Sequence, residues 1–374
     1  MKPSMKISRA RTTGLFPKKA AWVTLIAWTA SCSMAISQEG LLLKDFNPKS
    51  MLKVEETLVE RAKFPAIDIH GHLARMDPEK ALQIMDDCNV RVLVDFDGRW
   101  GDILERQKAK YRRWPGRVIH FTRLKWSAIN DSDFSEQMVE QLRDSVTAGA
   151  RGLKISKALG LYVRDETGKL IAVNDPRLDP VWTECGKLGI PVAIHVADPE
   201  AFFLPLDKNN EQHIALSRHP LWHFQGKDFP TKDTLLQQRN AVIARHPDTT
   251  FIGLHVANRP ENLAEVGALL DRFPNFHVEF GARVNELGRQ PYTSRKFFLK
   301  YQDRILFGVD RGSMTRFHYR VYFRFLETQD EYFSYGGNLG RWRIYGIYLP
   351  DDVLEKVYYQ NAARLLKLDQ NVIR

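Results

Sequence analysis

Phe64-Pro65-Ala66-Ile67-Asp68-Ile69-His70-Gly71-His72 reads as an apolar β-strand that ends in His-x-His. Successive strand residues point to opposite faces, so His70 and His72 project to the same side, as two ligands of one metal must. Eleven histidines in 374 residues make an isolated pair of this spacing a weak signal. Its weight comes from the strands that follow.

Strand-like runs at 66–70, 90–96, 118–124, 152–156, 192–196, 251–256, 276–280 and 304–309 alternate with amphipathic stretches. Several are apolar throughout, as strands covered on both faces are, and eight of them in βα order predict a single α/β domain, a (β/α)8 TIM barrel. An open doubly wound sheet fits less well, because no glycine-rich phosphate loop follows the first strand. Strands four, five, six and eight each carry a polar residue among apolar neighbours: Lys154, His195, His255 and Asp310. Burial there costs free energy unless metal coordination or hydrogen bonding compensates it. Long loops are expected at 197–232 after strand five and at 311–349 after strand eight. On a barrel both lie on the catalytic face, as lids or substrate walls, with packing or dimer contact as the alternative.

A hydrophobic share of 44% beside 27% charged residues is enough to bury a large core and excludes a disordered chain. Residues 1–37 read as a signal peptide: six basic residues and no acid, then the short apolar stretch 20–30, then Ala35-Ile36-Ser37 as a small-x-small cleavage site. An uncleaved membrane anchor is the alternative. A lipoprotein at Cys32 fits less well, because Thr29 is a poor residue three positions earlier. Without the leader the formal charge falls from +10 to +4, which gives no reason to expect nucleic acid. Residues 38–374 are then one exported domain, periplasmic or secreted, with no stable membrane insertion of the mature chain and a small molecule as its partner. A homo-oligomer is compatible with the sequence. Cys88 and Cys185 fall on non-adjacent helices and read as free, buried thiols.

The set His70-Gly71-His72, His195, His255 and Asp310, in this order, resembles the amidohydrolase superfamily, and most closely amidohydrolase family 2, the branch that includes aminocarboxymuconate-semialdehyde decarboxylase and related hydroxybenzoate decarboxylases. The ending Val357-Tyr358-Tyr359-Gln360-Asn361-Ala362-Ala363-Arg364-Leu365-Leu366 is similar to that branch's usual C-terminal helix. The resemblance implies a divalent metal, one zinc, held by His70, His72, His195 and Asp310. It makes His255 and Asp310 catalytic, His255 orienting or deprotonating a water, or else helping to bind a second metal, and Asp310 passing the proton on. Three imidazoles and a carboxylate suit zinc and leave room for that water. In the superfamily's binuclear members a fourth-strand lysine is carboxylated and bridges two metals, so Lys154 is either such a bridge or an ammonium that meets an anionic substrate.

The resemblance leaves the reaction open. A metal-dependent hydrolase of a small amide, lactone or ester is the first reading, favoured by export. A decarboxylase of a small unsaturated or aromatic acid is the second, and a binding protein that has lost catalysis is the third. Arg283, with Asn285, Glu286 and Arg289, follows strand seven and is a candidate substrate contact. His213, His219 and His223 read as surface residues, and Asp95 and Asp97 as turn or structural residues at a strand end that also faces the site. After Asp310 the chain departs from many relatives, which continue with small residues and proline, whereas Arg311-Gly312-Ser313 stands here.

Overall fold

Asp68, Lys154, Glu279 and other polar side chains lie buried among strands that are otherwise apolar, in a computed structural model that describes residues 40–42, 45–337 and 340–369. The signal-peptide reading of residues 1–37 and Cys32 lies outside these residues. Met1–Pro48 and Lys49–Arg374 form separate units, and the architecture below belongs to the second.

Its barrel strands are β1 (Ala66–Gly71), β2 (Val90–Asp95), β3 (Val118–His120), β4 (Leu153–Ile155), β5 (Val192–Ile194), β6 (Phe251–Gly253), β7 (Phe276–Glu279) and β8 (Ile305–Leu306). All pair in parallel and in chain order, as β1-β2-β3 and as β4-β5-β6-β7-β8. Two seams close the ring. Between β3 and β4, Thr122 N–H donates to Gly152 O and Lys154 N–H to Thr122 O, both at 2.8 Å. Between β8 and β1, Ile69 N–H donates to Phe307 O at 3.0 Å and Asp310 N–H to His70 O at 2.8 Å. The chain is thus the (β/α)8 barrel that the strand pattern predicts.

Helices alternate with these strands and are bounded by ordinary local chemistry. Asp77 caps Pro78–Asp87 by accepting from Lys80 N–H, with proline in the first turn. Gly189, left-handed at φ 62°, ends Asp179–Leu188. Cys88 and Cys185 are free and buried. Among the described residues no helix is long and apolar enough to cross a membrane.

Several boundaries differ from the sequence reading. The strand expected at 251–256 stops at Gly253, because His255, Val256, Ala257 and Asn258 all turn left-handed, with φ between 53° and 57°. The segment 311–349 is not loop throughout: Arg316–Glu327 is a helix that buries Tyr319, Tyr322, Phe323 and Leu326 at spacings of three and four, and a short antiparallel pair, Phe333–Ser334 with Arg343–Ile344, follows. The segment 197–232 holds 3-10 turns at Glu200–Phe203 and Pro220–Trp222 and a short helix at His213–Arg218.

Candidate metal centre

His70 near the end of β1, His72 one residue past it and Asp310 beyond β8 meet at the C-terminal ends of the strands. Their donor atoms lie within 4.8 Å of one another. Asp310 Oδ1 is 3.3 Å from His70 Nε2 and 3.3 Å from His72 Nε2, and Oδ2 is 3.9 Å from His255 Nε2. Two ligands each about 2.1 Å from one tetrahedral ion stand about 3.4 Å apart, so this spacing fits a divalent cation without rearrangement.

The second nitrogen of each ring is already engaged. His70 Nδ1 faces Glu279 Oε1 at 3.0 Å, His72 Nδ1 faces Asp97 Oδ1 at 3.0 Å, and His255 Nδ1 donates to Gly281 O at 2.7 Å. Bracing of this kind selects the tautomer that turns Nε2 toward an ion. Glu279 also accepts from the backbone N–H groups of His255 and Gly281. Glycines make room for it: a Cβ on Gly281 would stand 2.2 Å from Glu279 Oε1, and one on Gly308 would stand 3.0 Å from Glu279 Cγ and 3.1 Å from His70 Cβ.

Electrostatics agree with the geometry. Burial pushes the His70 and His255 imidazoles toward the neutral form, His255 well below the usual range, and a neutral imidazole is the ligating form. Burial alone would raise Asp310, but the three neighbouring imidazoles hold it well below the usual carboxylate range. His72 differs: burial opposes its charge, yet Asp310 and Asp97 win and push it up to about 9. Below the site, Asp68 accepts from His70 N–H, Val309 N–H and the Tyr319 hydroxyl, while burial pushes it up to about 7.

The other candidates are placed as follows. His195 stands beside His255, ring centroids 4.3 Å apart, but its Nε2 faces Asp198 Oδ1 at 3.4 Å, and burial lowers it to about 4. Among the described residues it joins no group of three converging donors. Lys154 is buried in the barrel with Nζ 4.5 Å from the Phe96 ring centroid and, among the described residues, no hydrogen bond or ion pair to that atom. Burial lowers it to about 7, against the pull of Asp310, so much of it is free amine at neutral pH. Arg283 is buried, donates to Ala282 O and faces Asp198 at 3.5 Å. Arg289 instead pairs with Glu211, and Glu286 is buried with neither carboxylate oxygen bonded among the described residues.

Three residues escaped the sequence reading. Glu279 braces His70 and His255, and the signal for it was a carboxylate set between the apolar Val278 and Phe280 at the end of a strand. Asp198 gathers His195, Lys157 and Arg283. Asp97, which reads as a turn or structural residue at an end that faces the site, braces His72 and pairs with Arg123 at 3.0 Å. His213, His219 and His223 join no metal-capable group among the described residues, although His219, exposed, stacks on Trp222 at 4.2 Å.

A cavity of ≈ 300 Å³ opens over His195, His255 and Asp310. Phe202, Trp222, Tyr322 and Tyr335 supply aromatic walls, and Lys157, Arg283 and Arg311 supply cations. The segments after β5 and β8 both contribute to it.

A closed parallel barrel with imidazoles and a carboxylate converging at its C-terminal face defines a class of metal-dependent enzymes. The chain belongs to the amidohydrolase family, whose sequence model matches residues 67–368. Solved structures of similar fold include an uncharacterized TIM-barrel protein from Bordetella bronchiseptica, 16% identical, with a TM-score of 0.52 over 81% of this chain and 98% of that one. A 2,6-dihydroxybenzoate decarboxylase complexed with 2,6-dihydroxybenzoate is 18% identical, with a TM-score of 0.50 over 82% and 100%. An amidohydrolase II is 14% identical, with a TM-score of 0.50 over 81% and 99%. Identities this low speak for the fold alone. A search of curated proteins finds no match.

Proposed function

We propose that the chain is a hydrolase that uses a divalent metal, zinc by the chemistry of its donors, to split an amide, lactone or ester of a small molecule. The observation that carries this reading is the Asp310 carboxylate set 3.3 Å from the Nε2 atoms of both His70 and His72, with every Nδ1 already engaged. When bound there, a divalent ion supplies Lewis acidity and acidifies a water toward neutral pH. The protein's own part is positional. His70, His72 and Asp310 would hold the ion, and His195 would have to turn from Asp198 to join them. Asp310 is ionised and offers a carboxylate oxygen to take a proton and hand it to the leaving group. His255, neutral and fixed by Gly281 O, offers Nε2 as an acceptor over the cavity floor. Lys154 is the group that would carry a second ion if carboxylated, because only its free amine can be modified in that way.

The aromatic and cationic walls of the cavity favour a second reading, decarboxylation of a small unsaturated or aromatic acid. Metal analysis of the purified protein, with a panel of lactones, amides and hydroxybenzoates scored for acid release against carbon dioxide release, separates the two. A protein without stoichiometric metal would sink both. Lys154→Ala is expected to keep a single metal and weaken substrate binding; loss of one of two metals, with rescue by bicarbonate, would establish the bridged pair instead. Export also belongs to this reading: the mature protein is expected to begin near Gln38, and retention of residues 1–30 in cells would refute it.

A further inference from the structure

Several nitrogen donors around the cavity find no hydrogen-bond partner among the described residues. Arg283 Nε, Asn285 Nδ2 and Arg311 Nε are buried without a hydrogen-bond partner, and all three residues line the same cavity. Leaving a buried donor unpaired forfeits its hydration, so three of them around one space point to an acceptor that arrives from outside. The cations of the cavity differ in how far they are already satisfied. Lys157 pairs with Asp198. Arg283 divides its guanidinium between Ala282 O at 2.7 Å and Asp198 at 3.5 Å. Arg311 has no acid partner and no side-chain hydrogen bond among the described residues. Its backbone is bridged to Gly71, between the two β1 histidines, and it directly follows Asp310, so the guanidinium starts from the rim of the donor cluster.

We propose that Arg311, assisted by Asn285, determines specificity by binding a carboxylate of the substrate that lies away from the reacting centre. The inference rests on the reading of this cavity as the substrate site, and it narrows the substrate to small flat acids. A guanidinium meets a carboxylate with two parallel N–H donors, which fixes orientation as well as charge. Trp222, Tyr322 and Tyr335 give a planar molecule faces and edges to lie against.

The test uses the full metal-loaded protein and calorimetric titration with isophthalate, benzoate and benzamide, which present two, one and no carboxylates on one ring. Isophthalate is expected to bind at least about tenfold tighter than benzoate, the scale of a charged hydrogen bond. In Arg311→Met the preference should vanish, and in Arg311→Lys it should persist in part, with metal content and melting temperature unchanged in both. Should Arg311→Met fail to fold, Asn285→Ala serves as the second variant, with a smaller loss of the same preference expected. Equal affinity for the two acids in the unmodified protein, no binding of either acid, or an undiminished preference in the variants overturns the proposal. An Arg311-dependent preference in a protein that binds no stoichiometric metal would instead refute the metal-enzyme reading and leave the carboxylate site standing.

Discussion

His72 sets the behaviour of the centre toward protons. Its neighbours Asp97 and Asp310 push it up to about 9 before any ion binds, whereas His70 and His255 are held neutral by burial. If His72 is a ligand as proposed, an entering cation would displace its proton, and near pH 7.5 we expect zinc binding to release about one proton. Calorimetry of zinc binding in buffers of different ionisation enthalpy measures that number, and it should fall toward zero in His72→Asn. The convergence of His70, His72 and Asp310 was legible in the sequence because each sits at or just past the end of an apolar strand, whereas His195, read the same way, turns to Asp198 instead. Glu279 and Asp97 were harder to see. Their task is to orient a ring, and bracing carboxylates follow no fixed spacing in the chain.

At the scale of the element, the turns after β6 and β7 are made to fit the site at the expense of ordinary backbone geometry. His255, Val256 and Ala257 are left-handed without being glycine, at about 1–2 kcal/mol each. Ties from His255 N–H to Glu279, Asn258 N–H to Leu254 O at 3.0 Å, and Val196 N–H to Asn258 Oδ1 hold the turn in place. Gly281 matters for another reason, since a methyl there would collide with Glu279 Oε1. Gly281→Ala is expected to push Glu279 off His70 and His255 and to weaken metal binding about tenfold or more while the barrel still folds. Metal titration monitored beside far-UV circular dichroism checks this, and unchanged affinity would mean that the brace is dispensable. The same turn explains why strand six could not be bounded from sequence: Leu254-His255-Val256 has strand composition, and tertiary hydrogen bonds override it. The helix Arg316–Glu327 was missed for a related reason, its aromatic and β-branched residues masking a spacing of three and four.

For the whole molecule, parallel pairing and double coverage made the barrel readable, because a strand buried on both faces must be apolar throughout. One exception carries a prediction. His277 in β7 is buried, has an Nδ1 unbonded among the described residues, and is pushed by burial and by Arg304 and Arg364 down to about 3. The unfolded chain protonates it near about 6.5, so between these values the unfolded state binds the extra proton. Its contribution to stability is full above about pH 6.5 and is lost as the pH falls toward 3. Urea midpoints measured from pH 7 downward should decline less steeply in His277→Gln than in the unmodified protein.

The ring of strands closes between β8, only two residues long, and β1. His70 and His72 stand on one side of that seam and Asp310 on the other. An ion held by all three would act as a clasp, joining the first and last staves of the cylinder more firmly than the few backbone bonds there can. Hydrogen exchange should then quicken at the Ile69 and Asp310 amides when the metal is chelated, well before the remaining strands open. Catalysis and closure would share one fastening, and a cell short of metal would lose both together.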